Sequence, residues 1–179
     1  MRINAGKYRN HNIEMTNLET TRETSDKVRQ AIFNLIGQFF DGEVVLDLFA
    51  GSGAMGLEAI SRGACEAYFN DINKQAIETV KRNALKLKVL EQCDLKNMDF
   101  KDYLTSINRL FDIIFLDPPY KMNNVDEILS LIYQYKLLKS KGIIAFEMES
   151  QTNPDSKYYK IIKDRSYGIK RVVIYKEEI

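Results

Sequence analysis

Apolar residues along the chain keep two alternating rhythms. From Thr24 to Phe40, Val28, Ala31, Ile32, Leu35, Ile36 and Phe39 recur at intervals of three and four, behind Thr24 and Ser25 as candidate caps. That spacing predicts an amphipathic helix. Val44-Val45-Leu46-Asp47-Leu48 is a short continuous apolar run that ends at Phe49-Ala50-Gly51-Ser52-Gly53, after which Met55, Leu57, Ala59 and Ile60 suit a helix stopping near Gly63. The unit reads strand, glycine turn, helix. It recurs as Ala67-Tyr68-Phe69, then Asp71, then a helix from Asn73 to about Leu87, and again as Leu110 to Leu116 followed by a helix over Val125 to Tyr135. Gly142 to Glu147 is a further strand and Cys93 to Met98 a weaker one. Alternation of this kind predicts an α/β fold with a doubly wound, mostly parallel sheet. The tail differs: Tyr158 to Lys163 and Ile169 to Tyr175 are β-rich runs around Tyr167-Gly168, a C-terminal antiparallel hairpin that brings the count to seven strands. Arg2 to Glu14 alternates around Gly6 as a short N-terminal β-hairpin.

With 179 residues, 45% hydrophobic and 28% charged, the chain buries one core, so a single domain over 1–179 is expected, with 1–40 as a hairpin-and-helix extension and 41–179 as the sheet core. No apolar run approaches the roughly 18 residues of a membrane span, and the first residues lack the apolar stretch of a secretion signal, which predicts a soluble, cytoplasmic protein. Cys65, Cys93 and the single His11 have neither disulfide nor zinc spacing, so no metal is expected. Net charge is only +1, yet residues 1–40 carry 6 Lys/Arg against 4 Asp/Glu, residues 41–150 carry 13 against 17, and residues 151–179 carry 7 against 4. Basic ends around an acidic middle permit a polyanion-binding face if the termini lie together.

Gly51-Ser52-Gly53-Ala54-Met55-Gly56 satisfies G-x-G-x-x-G, and Asp71 stands at the distance where a carboxylate meets a ribose. This marks a nucleoside site. Asp47, directly before the loop, opposes a pyrophosphate and suits a cationic ligand, which favours S-adenosylmethionine over NAD. Asp117-Pro118-Pro119-Tyr120 stops the strand that ends at Leu116, at the edge where open α/β sheets bind ligands. Asp117 and the Pro118 carbonyl can accept from an exocyclic amine while Tyr120 stacks on its ring.

Together these residues resemble the class I S-adenosylmethionine-dependent methyltransferases. Arg22 to Arg29, the run Phe49 to Ala59 with Ser61-Arg62-Gly63, and Tyr167-Gly168 narrow the likeness to the RsmD family, over about Met1 to Tyr175. The resemblance implies methylation of the N2 amine of a guanine in 16S ribosomal RNA of the small subunit by a monomeric RNA-binding enzyme. It implies catalytic roles for Asp117, Pro118 and Tyr120. Cofactor contacts would come from Thr24, Asp47, Phe49, Ala50, Gly51, Gly53, Asp71, Ile72, Met98, Asp99 and Asp117, with Asp94 the rival of Asp99 for the adenine amine. Substrate contacts would come from Arg2, Lys7, Arg9, Arg22, Pro119, Tyr120, Lys170 and Arg171. The chain departs from the family at Glu23, at Asn73 and at the turn Asn10-His11-Asn12. Rival readings are an amino-methyltransferase acting on adenine N6 or a protein amide, an NAD-dependent oxidoreductase, and a non-enzymatic RNA-binding module.

Overall fold

The computed structural model describes residues 1–16, 25–119, 122 and 124–177. Helix α1 (Asp26–Ile36) starts at Ser25, whose side chain accepts from the Val28 N–H. The core then alternates β1 (Val44–Asp47), α2 (Ala54–Ser61), β2 (Glu66–Asn70), α3 (Lys74–Lys86), β3 (Cys93–Lys96), α4 (Phe100–Ser106), β4 (Phe111–Leu116), α5 (Val125–Gln134) and β5 (Leu138–Glu149). Strands β6 (Tyr159–Tyr167) and β7 (Lys170–Glu177) form the terminal hairpin. The sheet runs β3-β2-β1-β4-β5-β7-β6, as expected seven-stranded, with β3 to β5 parallel and β7 antiparallel to both β5 and β6. Chain order reverses between β1 and β4, so a crevice forms at their carboxyl ends, where doubly wound sheets take their ligands.

Side-chain alternation sorts the core onto two faces. Val45, Phe69, Ile113, Phe115 and Ala145 pack with α1, α2 and α3. Val44, Leu46, Ile114, Leu116 and Phe146 pack with α4 and α5. Each central strand is therefore apolar on both sides, the pattern read from the sequence as continuous runs. Two elements differ from that reading. Helix α4 was not anticipated: it is seven residues long, and Phe100, Tyr103 and Leu104 are its only buried positions, behind Asp99 as N-cap. Strand β5 begins at Leu138, four residues before Gly142, because Lys139, Ser140 and Lys141 carry a polar stretch through an irregular pairing with β4.

The N-terminal segment closes as a small antiparallel turn with an Arg2–Asn12 bridge, in which Ile3 N–H donates to His11 O and Asn10 N–H to Ile3 O. It is fastened to α2. Glu58, fully buried, accepts from the Asn4 and Ala5 N–H groups at 2.8 and 3.0 Å and pairs with Arg62 Nε at 2.9 Å and Arg29 Nε at 3.5 Å. Gly6 has φ +84°, and a Cβ there would lie 1.8 Å from the Ser61 carbonyl oxygen. Only glycine allows the hairpin to approach α2 so closely. Arg29 also donates to the Arg2 carbonyl at 2.5 Å, and Lys163 of β6 donates to Leu35 O at 2.5 Å. Thus α1 is tied both to the N-terminal hairpin and to β6 of the C-terminal hairpin.

Candidate active site

The carboxyl edge of β1, β2 and β4 collects the acidic residues picked out by sequence. Asp47 ends β1 and is 4% exposed, and its Oδ2 accepts from the Gly56 N–H at 3.0 Å. Gly56 is the third residue of α2, so the carboxylate occupies one of the amides that an unliganded helix start leaves without a partner. In a dinucleotide fold a pyrophosphate takes that position. Here a fixed negative charge is already there. Gly56 has a separate constraint, since a Cβ would lie 2.3 Å from the Phe69 ring and would push α2 away from β2.

Asp71, just past β2, organises the glycine turn: Oδ2 accepts from the Gly51 N–H at 2.9 Å and Oδ1 from the Asn73 N–H at 2.8 Å. Gly51 and Gly53 have φ +54° and +80°, and Ala50 N–H donates to Asn70 O at 2.9 Å. Asn73 caps α3 by accepting from the Gln75 N–H. Sequence reading missed Asn70 and Asn97, the two amides that brace these loops. Asn70, 1% exposed, donates to Leu48 O at 3.4 Å and Met98 O at 3.1 Å, while Asn97 donates to Asp71 O and Ile72 O, each at 2.9 Å. The sequence signal for Asn70 was a polar residue closing an apolar strand, and Asn97, after the polar strand β3, had none. Through these bonds Met98 and Asp99 stand beside Asp71 and Ile72, the last 71% exposed. Asp99 caps α4 by accepting from the Lys101 N–H. Asp94 lies within β3, opposite Tyr68 of β2, short of the edge. Phe49 packs on Phe100 with ring centroids 5.6 Å apart.

Asp117 and Pro118 follow β4 directly, and the Pro119 carbonyl accepts from the Met122 N–H at 2.8 Å, which closes a turn. Asp117 Oδ1 lies 3.8 Å from Lys170 Nζ, and that ammonium lies 2.7 Å from Glu147 Oε1. A cleft beside the motif is lined by Pro118, Pro119, Phe146, Glu147, Met148 and Lys170. Arg2, Lys7 and Arg9 are exposed on the N-terminal hairpin. Lys170 and Arg171, named with them for phosphate contacts, are held differently. Lys170 joins the two carboxylates, and Arg171 grips Asp164 through Nε at 2.8 Å and Nη2 at 2.5 Å. That fork holds the Asp164 carboxyl below the ordinary carboxylate range. Pairing within the protein is the physical reason these two differ from surface cations. Arg22, Thr24 and Tyr120 lie outside the described residues. Among the described residues, no group of three His, Cys, Asp or Glu could hold a metal ion, and no helix is long and apolar enough to cross a membrane.

Residues 1–176 match the family described as Conserved hypothetical protein 95. The chain belongs to this family, the RsmD-type methyltransferases. It is 36% identical to the Bacillus subtilis protein named "Putative rRNA methyltransferase YlbH", over 99% of both chains. It is 32% identical to the Haemophilus influenzae protein named "Ribosomal RNA small subunit methyltransferase D", over 98% of this chain and 93% of that one. A solved Escherichia coli structure, described as "Putative methyltransferase yhhF", superposes with a TM-score of 0.87 at 26% identity, over 99% of this chain and 98% of that one. The family and the fold make this RsmD-type chain a methyltransferase and imply the use of S-adenosylmethionine.

Proposed function

We propose that the protein transfers a methyl group from S-adenosylmethionine to the exocyclic N2 amine of a guanine in 16S ribosomal RNA of the small subunit. The observation that carries this is the placement of Asp47 and Asp117 at the carboxyl ends of β1 and β4, on either side of the point where strand order reverses. The names of the relatives supply the substrate class.

The residues fit the cofactor by their chemistry. Carboxylates at the ends of β1 and β2 suit a cationic amino acid portion and ribose hydroxyl donors, and Asp99 after β3 suits the adenine amine, whereas Asp47 on the α2 amide repels a phosphate. This disfavours the NAD reading of the glycine loop. Bound there, S-adenosylmethionine would supply a methyl group already activated by its sulfonium. What remains for the protein is to align the accepting nitrogen and exclude water. Asp117 and the Pro118 carbonyl accept from the amine, turning its lone pair toward the methyl, and the displaced proton passes to Asp117 or to solvent. No strong general base is needed. Pro118 and Pro119 fix where those acceptors point, because proline locks φ. Tyr120 stacks on the base, which leaves its own helix to reach the crevice. Arg2, Lys7 and Arg9 contact phosphates from the hairpin, held against α2 by Glu58 and Ser61.

The test is methyl transfer from labelled S-adenosylmethionine to small subunits, bare 16S RNA, duplex DNA and protein, with the product identified by mass spectrometry. N2-methylguanine in small-subunit RNA is expected, and Asp117→Ala should abolish it while S-adenosylhomocysteine affinity stays nearly constant, since Asp117 touches the accepting amine more than the cofactor. N6-methyladenine or a methylated amide would overturn the substrate assignment and keep the amine chemistry. Full activity of Asp117→Ala would reduce the Pro-Pro turn to a strand stop.

A further inference from the structure

The cleft beside Pro118 and Pro119 contains a charged group that the chemistry above does not use. Glu147 stands on β5, the parallel neighbour of the strand that leads into Asp117. It is 2% exposed and lines the cleft. Its Oε1 lies 2.7 Å from Lys170 Nζ, while its Oε2 is buried with no hydrogen-bond partner among the described residues. An acceptor left so in a low-dielectric wall is unfavourable, and buried polar atoms are otherwise almost always satisfied. Strand pairing does not require it, since β5 and β7 are joined by a ladder from Ile144–Tyr175 to Glu149–Lys170. A buried ion pair is also a poor source of stability compared with apolar residues of the same volume. The same lysine reaches Asp117 at 3.8 Å, which places Glu147 across one ammonium from the carboxylate assigned to the reacting amine.

The group that completes such a site is an N–H donor next to an amine. Guanine presents N1–H beside its N2 amine, whereas adenine has a lone pair at N1. We infer that Glu147 selects guanine: Oε2 accepts the N1–H while Asp117 and the Pro118 carbonyl hold the N2 amine. This rests on the guanine reading above. Adenine at the same place would set its N1 lone pair against the carboxylate, a repulsive contact as well as a missing bond. Lys170 acts as a positioning residue that engages Oε1 and leaves Oε2 for the base.

The experiment uses small subunits reassembled with 16S RNA in which the methylated guanine is replaced by 2-aminopurine. This base keeps the N2 amine but accepts at N1. The wild-type protein should favour guanine in kcat/KM by at least about a hundredfold, since a site built to bond an N–H rejects an analogue lacking it by that much or more. Glu147→Gln can donate to N1 of 2-aminopurine. It should lose on the order of a hundredfold on guanine while 2-aminopurine holds or rises, with S-adenosylhomocysteine affinity unchanged. An equal loss on both bases would mark a merely structural residue and overturn the inference, as would an unchanged rate on guanine. If the variant does not fold, equal wild-type rates on the two bases overturn the inference and a large preference supports it. A wild-type protein that methylates some other substrate and no guanine would refute the underlying substrate reading, and this inference with it.

Discussion

Glu58 is the group on which the N-terminal hairpin depends. Its carboxylate has no exposure, and around it stand the Arg62 guanidinium at 2.9 Å, the Arg29 guanidinium at 3.5 Å and the N–H groups of Asn4 and Ala5 at 2.8 and 3.0 Å. Both arginines are buried, and Arg62 also lies 4.3 Å over the Phe33 ring. Glu58→Gln preserves the volume and removes the one fully buried counter-charge that the described residues set against these arginines, leaving Asp26, whose side chain is 59% exposed, as the remaining acidic partner of Arg29 among them. Breaking a buried pair by removing one partner costs about 3–5 kcal/mol, because the other charge stays behind. For a domain of this size each kcal/mol lowers Tm by about 2–4 °C, so a fall of roughly 6–20 °C is expected. Urea unfolding should show a lower midpoint with an unchanged slope. The loss should be local in its functional effect, since the hairpin carries Arg2, Lys7 and Arg9 while Asp47 and Asp71 are held by other bonds. KM for small subunits should rise while calorimetric affinity for S-adenosylhomocysteine stays within about twofold, an energetic difference of a few tenths of a kcal/mol. A destabilisation below about 1 kcal/mol would refute the view that this triad is an uncompensated buried charge once broken. An equal loss of cofactor affinity would refute the separation of hairpin from cofactor pocket.

Asp71→Ala should weaken S-adenosylhomocysteine binding by about 1–3 kcal/mol in calorimetry, since it removes a charged acceptor and also frees the Gly51 and Asn73 N–H groups it now holds. Arg2→Glu, Lys7→Glu and Arg9→Glu should each raise KM for small subunits and flatten its dependence on log salt by somewhat under one unit per phosphate contact. Arg171→Glu should instead lower the urea midpoint, because it breaks the fork with Asp164; a variant as stable as the wild type would show that the fork contributes nothing. Burial pushes the Cys93 thiol up to about 12, whereas Cys65 is exposed, so iodoacetamide at pH 8 should modify Cys65 in the native protein and spare Cys93 until urea unfolds it. Equal labelling of the two thiols in the native protein would contradict this.

What local pattern determines was legible in the chain. Runs such as Val44 to Leu48 and Leu110 to Leu116 are apolar on both faces, and a strand buried on both sides needs helices before and after it, so the parallel core and its glycine turn followed from residue order. Where the strand order reverses, between β1 and β4 beside Asp47 and Asp117, was decided only in the closed sheet, because right-handed crossovers fix the hand of each unit and not the edge that the next strand joins. Helix α4 was not legible: three buried side chains in seven residues make no periodicity, and packing against α5 and β4 stabilises it more than propensity does. The partners of charged residues were equally hidden. Lys170 and Arg171 read as a basic pair, like Lys7 and Arg9, and only antiparallel registration of β7 against β5 and β6 sets one beside Glu147 and the other beside Asp164. Glu147 and Asn70 read as ordinary polar residues at strand ends. Their burial, and the atoms that meet them from chain segments 22 to 28 positions away, exist only once the sheet has closed. Periodicity is a property of neighbours along the chain, whereas ion pairing and the completion of a site depend on distances in space that no single segment encodes.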